Sequence, residues 1–243
     1  MPSAADKPTA AVDGKDNSAA AAVKTDTAPQ VVAPTAHKRS PMEQEFDRLK
    51  GMDKLEEGVD AIGPKGLQAL CADIGVTYND FDMYVVVWKL GATQSYCITR
   101  SEWLHGAYTH KLEHPQHIRG KLSEWRSEVR NEEPRFTEMY YLLYDFIRGE
   151  QEKLLPQDKA IKAWQVLLPE PIPFAFLSLW VQWVTLEYKR DITRDVWRQV
   201  WEFARKIKNL ESYDSNDKWP TALDDFVEWA KEKTAKKNER VVS

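Results

Sequence analysis

An all-α fold is predicted by three observations. Apolar and aromatic residues recur at helical spacing from Met42 to Ala230. Helix start and stop residues punctuate that pattern. Only Met83–Trp88 is β-branched and aromatic enough to suggest a strand, and no partner strand is evident for it. The densest stretch is Phe174–Trp229, which holds six of the ten tryptophans. Large rings at such spacing signal helix-on-helix packing. Acidic residues flank the same rings, which gives an aromatic core beneath an acidic face.

Residues 1–41 form an Ala/Pro-rich tail without a single aromatic residue. Such a segment buries too little apolar area to offset its ordering entropy, so disorder is expected. From Met42 the residues Phe46, Leu49, Met52, Leu55 and Val59 suggest a helical stripe, weakened by Gly51. GPKGLQALCADIG reads as a short helix with Pro64 near its start and Gly75 past its end. Leu67, Leu70, Cys71 and Ile74 share one face of it, which makes Cys71 a core residue. Residues 77–91 read as a further helix, capped by Thr77 or Asn79 and stopped by Gly91. After an extended link, Thr99 and Glu102 form a capping box for a helix carrying Trp103.

Helices over Ile118–Val129, Phe136–Ile147 and Lys159–Leu168 follow, and 169–173 is a rigid break. Phe174–Tyr188 is the most hydrophobic helix. Thr193 caps the next one, with Val196, Val200, Phe203, Ala204 and Ile207 inward. Pro220 opens the last, whose buried face is Leu223, Phe226, Val227 and Ala230. Residues 231–243 are a frayed basic end. The expected domain is therefore 42–230, divided into an EF-hand-like front half, about 42–130, and a C-terminal helical bundle, 131–230. The front half has the helix–loop–helix outline of an EF-hand. Neither of its loops supplies alternating oxygen ligands, a central glycine and a closing glutamate. It is expected to serve packing and to bind no calcium.

Composition narrows the function. A net charge of −4 argues against nucleic acid as the partner. Two cysteines imply no disulfide framework and fit the cytoplasm or nucleus. No apolar run has the length of a membrane span, and the N-terminus lacks both a signal-peptide core and a glycine at position 2. Phosphate loops, dinucleotide glycine patterns and GxSxG are absent. His114 and His117 are three apart, but Pro115 interrupts them and no acid or cysteine completes a metal set. Glu132 and Glu133 beside Pro134 read as a loop. No nucleophile-and-base arrangement supports an enzyme, and no cofactor or metal is expected.

The chain resembles the DCN-like (defective in cullin neddylation) family over roughly 62–230. The carrying motifs are DITRDVWRQVWEF and YDSNDKWPTALDDFVEWA, in which Tyr213, Asp214, Trp219, Pro220, Asp224, Phe226, Val227 and Glu228 match. Trp88–Leu90 and Phe136–Phe146 fit upstream. The resemblance implies a potentiating-neddylation domain, a non-catalytic scaffold that binds a cullin C-terminal winged-helix region and the N-acetylated N-terminal peptide of the conjugating enzyme. It promotes transfer of the ubiquitin-like modifier by orientation alone. The family's acidic patch falls on Asp195 and Asp224, with Asp225 adjoining. Its small residue before Trp-Pro is Lys218 here, a departure that weakens or redirects the attraction for a basic partner.

The implied peptide pocket draws on Val86, Leu90, Tyr96, Ile98 and Trp103, closed by Tyr144, Trp164, Trp180 or Trp183. Each of these is also an ordinary core side chain. Acetylation suits an apolar slot, because it removes the charge that burial penalises. The chain resembles short family members without an N-terminal ubiquitin-binding domain, and a monomer is expected. The competing reading is a helical interaction module with a changed partner.

Overall fold

The computed structural model describes residues 39–169 and 174–242. Residues 1–38 of the expected disordered tail and most of the rigid break at 169–173 lie outside these residues, whereas Ser40 and Pro41, expected in the tail, cap and open the first helix. The regular elements of the described chain are helical apart from one two-residue ladder and two isolated bridges, Gln94 with Cys97 and Leu155 with Ile192. Its helices are α1 (Pro41–Lys50), α2 (Pro64–Ile74), α3 (Phe81–Lys89), α4 (Arg100–Thr109), α5 (Gln116–Asn131), α6 (Glu133–Arg148), α7 (Gln157–Leu167), α8 (Leu177–Trp183), α9 (Arg194–Lys206) and α10 (Thr221–Val242). The ladder joins β1 (Ala61–Ile62) to β2 (Ile98–Thr99), antiparallel, with Ala61 opposite Thr99 and Ile62 opposite Ile98.

The front half is two helix–loop–helix units, α1–α2 and α3–α4, whose loops meet at the ladder. Ser40 and Glu43 form a capping box that starts α1, and Thr99 and Glu102 form the one that starts α4. The α1 stripe stops at Lys50 rather than running on, so Met52 and Val59 are exposed. The chain turns there so that the Asp53 carboxylate can cap α2 from outside, accepting from the amides of Lys65 (3.2 Å) and Gly66 (2.9 Å). Gly75 ends α2 in the left-handed region (φ 74°), and Val76 N–H closes the turn on the Cys71 carbonyl. The cap of α3 is Asp80, neither Thr77 nor Asn79, because its carboxylate accepts from the Phe81 amide at 2.7 Å. Arg100 bonds Asp60 at 2.6 Å and Asp47 at 2.7 Å, tying α4 to α1 and the ladder approach. Arg100, with Lys50, holds the Asp60 carboxyl down to about 2.

Close approach at Gly66 sets the α1–α2 packing. A Cβ placed there lies 2.5 Å from the Leu49 carbonyl oxygen, a backbone atom that cannot swing aside. Gly66→Ala is expected to cost roughly 2–3 kcal/mol through this clash, measured as a lowered midpoint in urea unfolding. An unchanged midpoint would show that the two helices slide freely.

The C-terminal half packs α6 against α9, α7 against α6 and α8, and α10 against α8 and α9. Every residue of the expected stripes on α9 and α10 is buried. At their centre is a knot of three rings. Tyr140 stacks on Trp197 with centroids 4.5 Å apart, and Trp164 stacks behind Trp197 at 5.6 Å. The Tyr140 hydroxyl donates to the Trp197 carbonyl (2.9 Å) and accepts from the Trp164 indole (2.8 Å). The Trp197 indole donates back to the Tyr140 carbonyl at 2.8 Å. Each buried polar atom in the knot is thus satisfied, as a low-dielectric core requires.

Glu133 and Pro134, expected in a loop, instead open α6 with Glu132 at its cap position, and two further elements depart from expectation. The helix predicted from Phe174 starts at Leu177 and changes at Val184 into a π turn, Val184–Tyr188. Lys189 N–H closes that turn on the Val184 carbonyl at 3.1 Å, and Lys189 is itself left-handed (φ 47°). The last helix continues through the basic end to Val242. Cys71 is buried, and desolvation pushes its thiol up to about 12. Among the described residues no group of three or more His, Cys, Asp or Glu is arranged to hold a metal ion. No helix among them is long and apolar enough to cross a membrane.

Candidate functional site

The first turns of α9 and α10 form one wall of a cleft of about 560 Å³, and the π turn after α8 forms another. Thr193 positions the α9 wall. Its hydroxyl accepts from the Val196 amide at 3.1 Å and so fixes Asp195 in the first turn, where the helix dipole favours a carboxylate. The segment before Thr193 is pinned by a double bridge between Ile192 and Leu155, at 2.8 and 3.0 Å. The Tyr144 hydroxyl also donates to the Ile192 carbonyl at 2.9 Å.

The α10 wall is set by the Trp-Pro turn. The Asp214 carboxylate accepts from the Asn216 backbone and side chain, both at 2.8 Å, and these bonds hold its carboxyl below the usual range. Trp219 packs on Phe203 and Tyr213, with centroids 5.8 and 6.0 Å away. Pro220 then leads into α10.

The expected acidic residues divide at this point. Asp195 and Asp225 are exposed and line the same cleft, together with Glu187. Asp224 is half-buried and accepts a 2.5 Å hydrogen bond from the Tyr213 hydroxyl. Burial, and then this bond, push the Tyr213 phenol above its ordinary range. Asp224 therefore braces the Trp-Pro turn, whereas Asp195 and Asp225 present free carboxylates. Lys218 is exposed and makes no ion pair among the described residues. The cleft also holds Tyr188 and Arg190, which periodicity could not place because a π turn shifts the helical register.

Eight of the nine expected pocket residues are buried, and Tyr96 is half-buried. They are spread through the core rather than gathered around one opening. The Trp103 indole donates to the Met42 carbonyl on α1 at 2.9 Å. Trp164 and Trp180 pack edge-on at 5.4 Å, and Trp180 meets Phe226 of α10 at 5.1 Å. Trp183 lines the acidic cleft instead. Val86, Leu90 and Ile98 belong to the front half. Tyr96 marks the seam between the halves. Its amide donates to the Phe146 carbonyl at 3.0 Å, and its ring meets Phe146 at 5.1 Å and Tyr78 at 6.3 Å. Tyr78, absent from the expected set, lies beside it.

Fold and site define an all-helical recognition domain whose polar cleft is built on helix N-termini. Residues 117–229 match the family model described as cullin binding. DCN1-like protein 5 of Rattus norvegicus is 32% identical over 193 residues, 78% of this chain and 80% of that protein. DCN1-like protein 5 of Homo sapiens is 32% identical over 173 residues, covering 71% and 72%. DCN1-like protein 4 of Homo sapiens is 33% identical over 175 residues, covering 72% and 59%. The chain belongs to the DCN1-like family. Membership makes it a non-catalytic scaffold rather than an enzyme.

Proposed function

We propose that this protein is a scaffold-type co-ligase that holds a cullin and the charged conjugating enzyme of the neddylation pathway together. The observation that carries this reading is the pair of free carboxylates that line one cleft beside the Trp-Pro turn, Asp195 in the first turn of α9 and Asp225 just past the first turn of α10. Such a cleft attracts a basic surface, here the cullin C-terminal winged-helix region. Asp224 contributes by fixing Tyr213 and the turn. Lys218 is exposed just before Trp219 and Pro220, outside the residues that line the cleft, and its charge modulates the attraction.

The N-acetylated peptide of the conjugating enzyme docks at the seam marked by Tyr96, where α3 meets α6 and the Tyr96 ring packs on Phe146. Of the other residues expected at the pocket, Val86, Leu90 and Ile98 belong to the front-half side and Tyr144 to α6, whereas Trp103, Trp164 and Trp180 are core side chains elsewhere and Trp183 lines the acidic cleft. The two helix–loop–helix units of the front half act as an EF-hand-like pair without calcium chemistry, giving the seam a rigid floor. The protein works as a monomer in the nucleus and cytoplasm, and the modifier never bonds to it. Its contribution is proximity, which converts an encounter of two large partners into a near-intramolecular step.

Calorimetry tests the two docking sites separately. A cullin C-terminal fragment is expected to bind, and Lys218→Ala to preserve or tighten that binding by about two- to fivefold, the effect of removing one exposed cation. A large loss on Lys218→Ala would instead make Lys218 a specific contact. The acetylated peptide is expected to bind, and its unacetylated form to bind at least about tenfold more weakly, since a buried ammonium is penalised. Equal affinities would remove the apolar-slot assignment.

A further inference from the structure

We propose that Arg190 is a specificity-determining residue of the acidic cleft, selecting a docking segment that carries a carboxylate next to its cation. This rests on the reading of the cleft as the cullin-docking site. Among the described residues the cleft contains one guanidinium, Arg190, and three carboxylates, Glu187, Asp195 and Asp225. None of these four side chains makes an ion pair among the described residues.

A resident arginine serving only to neutralise those acids would be drawn onto one of them. Arg190 instead leans over the Tyr188 ring, its guanidinium carbon 5.9 Å from the centroid. The Tyr188 ring is in turn backed by Trp183 at 5.3 Å. The guanidinium therefore keeps its fork of donors free, and such a fork matches a carboxylate in bidentate geometry.

Backbone placement supports the same role. Arg190 lies on a short link between the π turn and α9. Lys189 before it is held in the left-handed region. After it, the Asp191 carboxylate accepts from the Gln157 amide at 3.2 Å, and Ile192 is bridged to Leu155. The link is thus fixed at both ends, so Arg190 projects from a constant point on the cleft, whose lining also holds Asp195 and Asp225. An incoming segment therefore meets carboxylates and a guanidinium in the same cleft. A purely basic segment satisfies only the first, whereas a dipolar one satisfies both, and mismatched charge placement is penalised.

The test has two arms. In the first, a cullin C-terminal fragment is titrated against the full chain and its Arg190→Ala, Arg190→Lys and Asp195→Asn variants. Arg190 is exposed, so the thermal midpoint of its variants should not move. Arg190→Ala is expected to weaken binding roughly tenfold, the scale of one charge-assisted contact at a partly exposed site. Arg190→Lys should recover only part of that loss, because an ammonium cannot fork. In the second arm, two short peptides that differ only in Glu or Gln beside a lysine are added while the Arg190 side-chain N–H resonance is followed. The Glu peptide should shift it and the Gln peptide should not.

Unchanged or tighter cullin binding by Arg190→Ala, or identical responses to the two peptides, overturns the assignment. A wild-type chain that ignores the cullin fragment yet distinguishes the two peptides instead overturns the cullin reading and leaves the role of Arg190 standing.

Discussion

Replacing Asp195 and Asp225 together by lysine is expected to lower affinity for a cullin C-terminal fragment by at least about a hundredfold. Both carboxylates are exposed and line one cleft. Each reversal removes an attraction and adds a repulsion, together worth roughly 1–3 kcal/mol at an interface. Two such changes give about two orders of magnitude when they add. The folded state should lose little. A lysine at Asp195, in the first turn of α9, opposes the dipole by only about 0.3–1 kcal/mol, and Asp225 lies past the first turn of α10, where the dipole effect falls off.

The pair discriminates better than Asp224→Lys, which severs the 2.5 Å bond to Tyr213 and places an ammonium in a half-buried position. Loss of binding in that variant would mix recognition with collapse of the Trp-Pro turn. Surface plasmon resonance at two salt concentrations reads the difference. The wild-type interaction should weaken with salt, and that dependence should flatten in the double variant. A double variant that binds within about threefold of wild type would move the cullin to another face.

Trp197→Ala is the second large effect, with an expected loss of about 3–5 kcal/mol of stability. The ring is fully buried between Tyr140 and Trp164. Its removal opens a cavity and leaves the Tyr140 carbonyl without the indole donor that reaches it at 2.8 Å. Against the roughly 5–15 kcal/mol that holds an ordinary domain together, that loss brings the C-terminal half near unfolding. Urea denaturation followed by far-UV circular dichroism measures it. Trp197→Phe should keep the stacking but lose the hydrogen bond, and fall between wild type and alanine. A cost below about 1 kcal/mol for the alanine variant would show that the three-ring knot is not central to the fold.

Much of this architecture is legible before the fold is known, because its physics is local. The boxes at Thr99 and Glu102, the stop at Gly75 and the stripes on α9 and α10 follow from spacing alone. The misread elements share a cause, which is that a distant or non-periodic group decides the outcome. Asp53 caps α2 from outside the helix, and α1 ends early to permit it. The π turn at Val184–Tyr188 inserts a register shift that a 3.6-residue period cannot represent. It carries Glu187 and Tyr188, and then Arg190, into the cleft. The acidic patch is legible as a set of residue types but not as geometry. Adjacent aspartates on a helix face different ways, so only the fold reveals that Asp225 opens toward Asp195 while Asp224 turns to Tyr213. The pocket residues, named from a resemblance, are side chains whose burial is equally demanded by the core.

Single-turnover transfer of the modifier from the charged conjugating enzyme to a cullin C-terminal fragment shows whether this protein holds both partners at once. The reaction is run with and without this protein, using acetylated and unacetylated conjugating enzyme. A scaffold that docks both partners should accelerate transfer only with the acetyl group present and lose that acceleration in the Asp195→Lys, Asp225→Lys double variant. A rate unchanged by the protein, with both partners shown to be competent on their own, would contradict that role and leave a DCN1-like helical module serving a different partner.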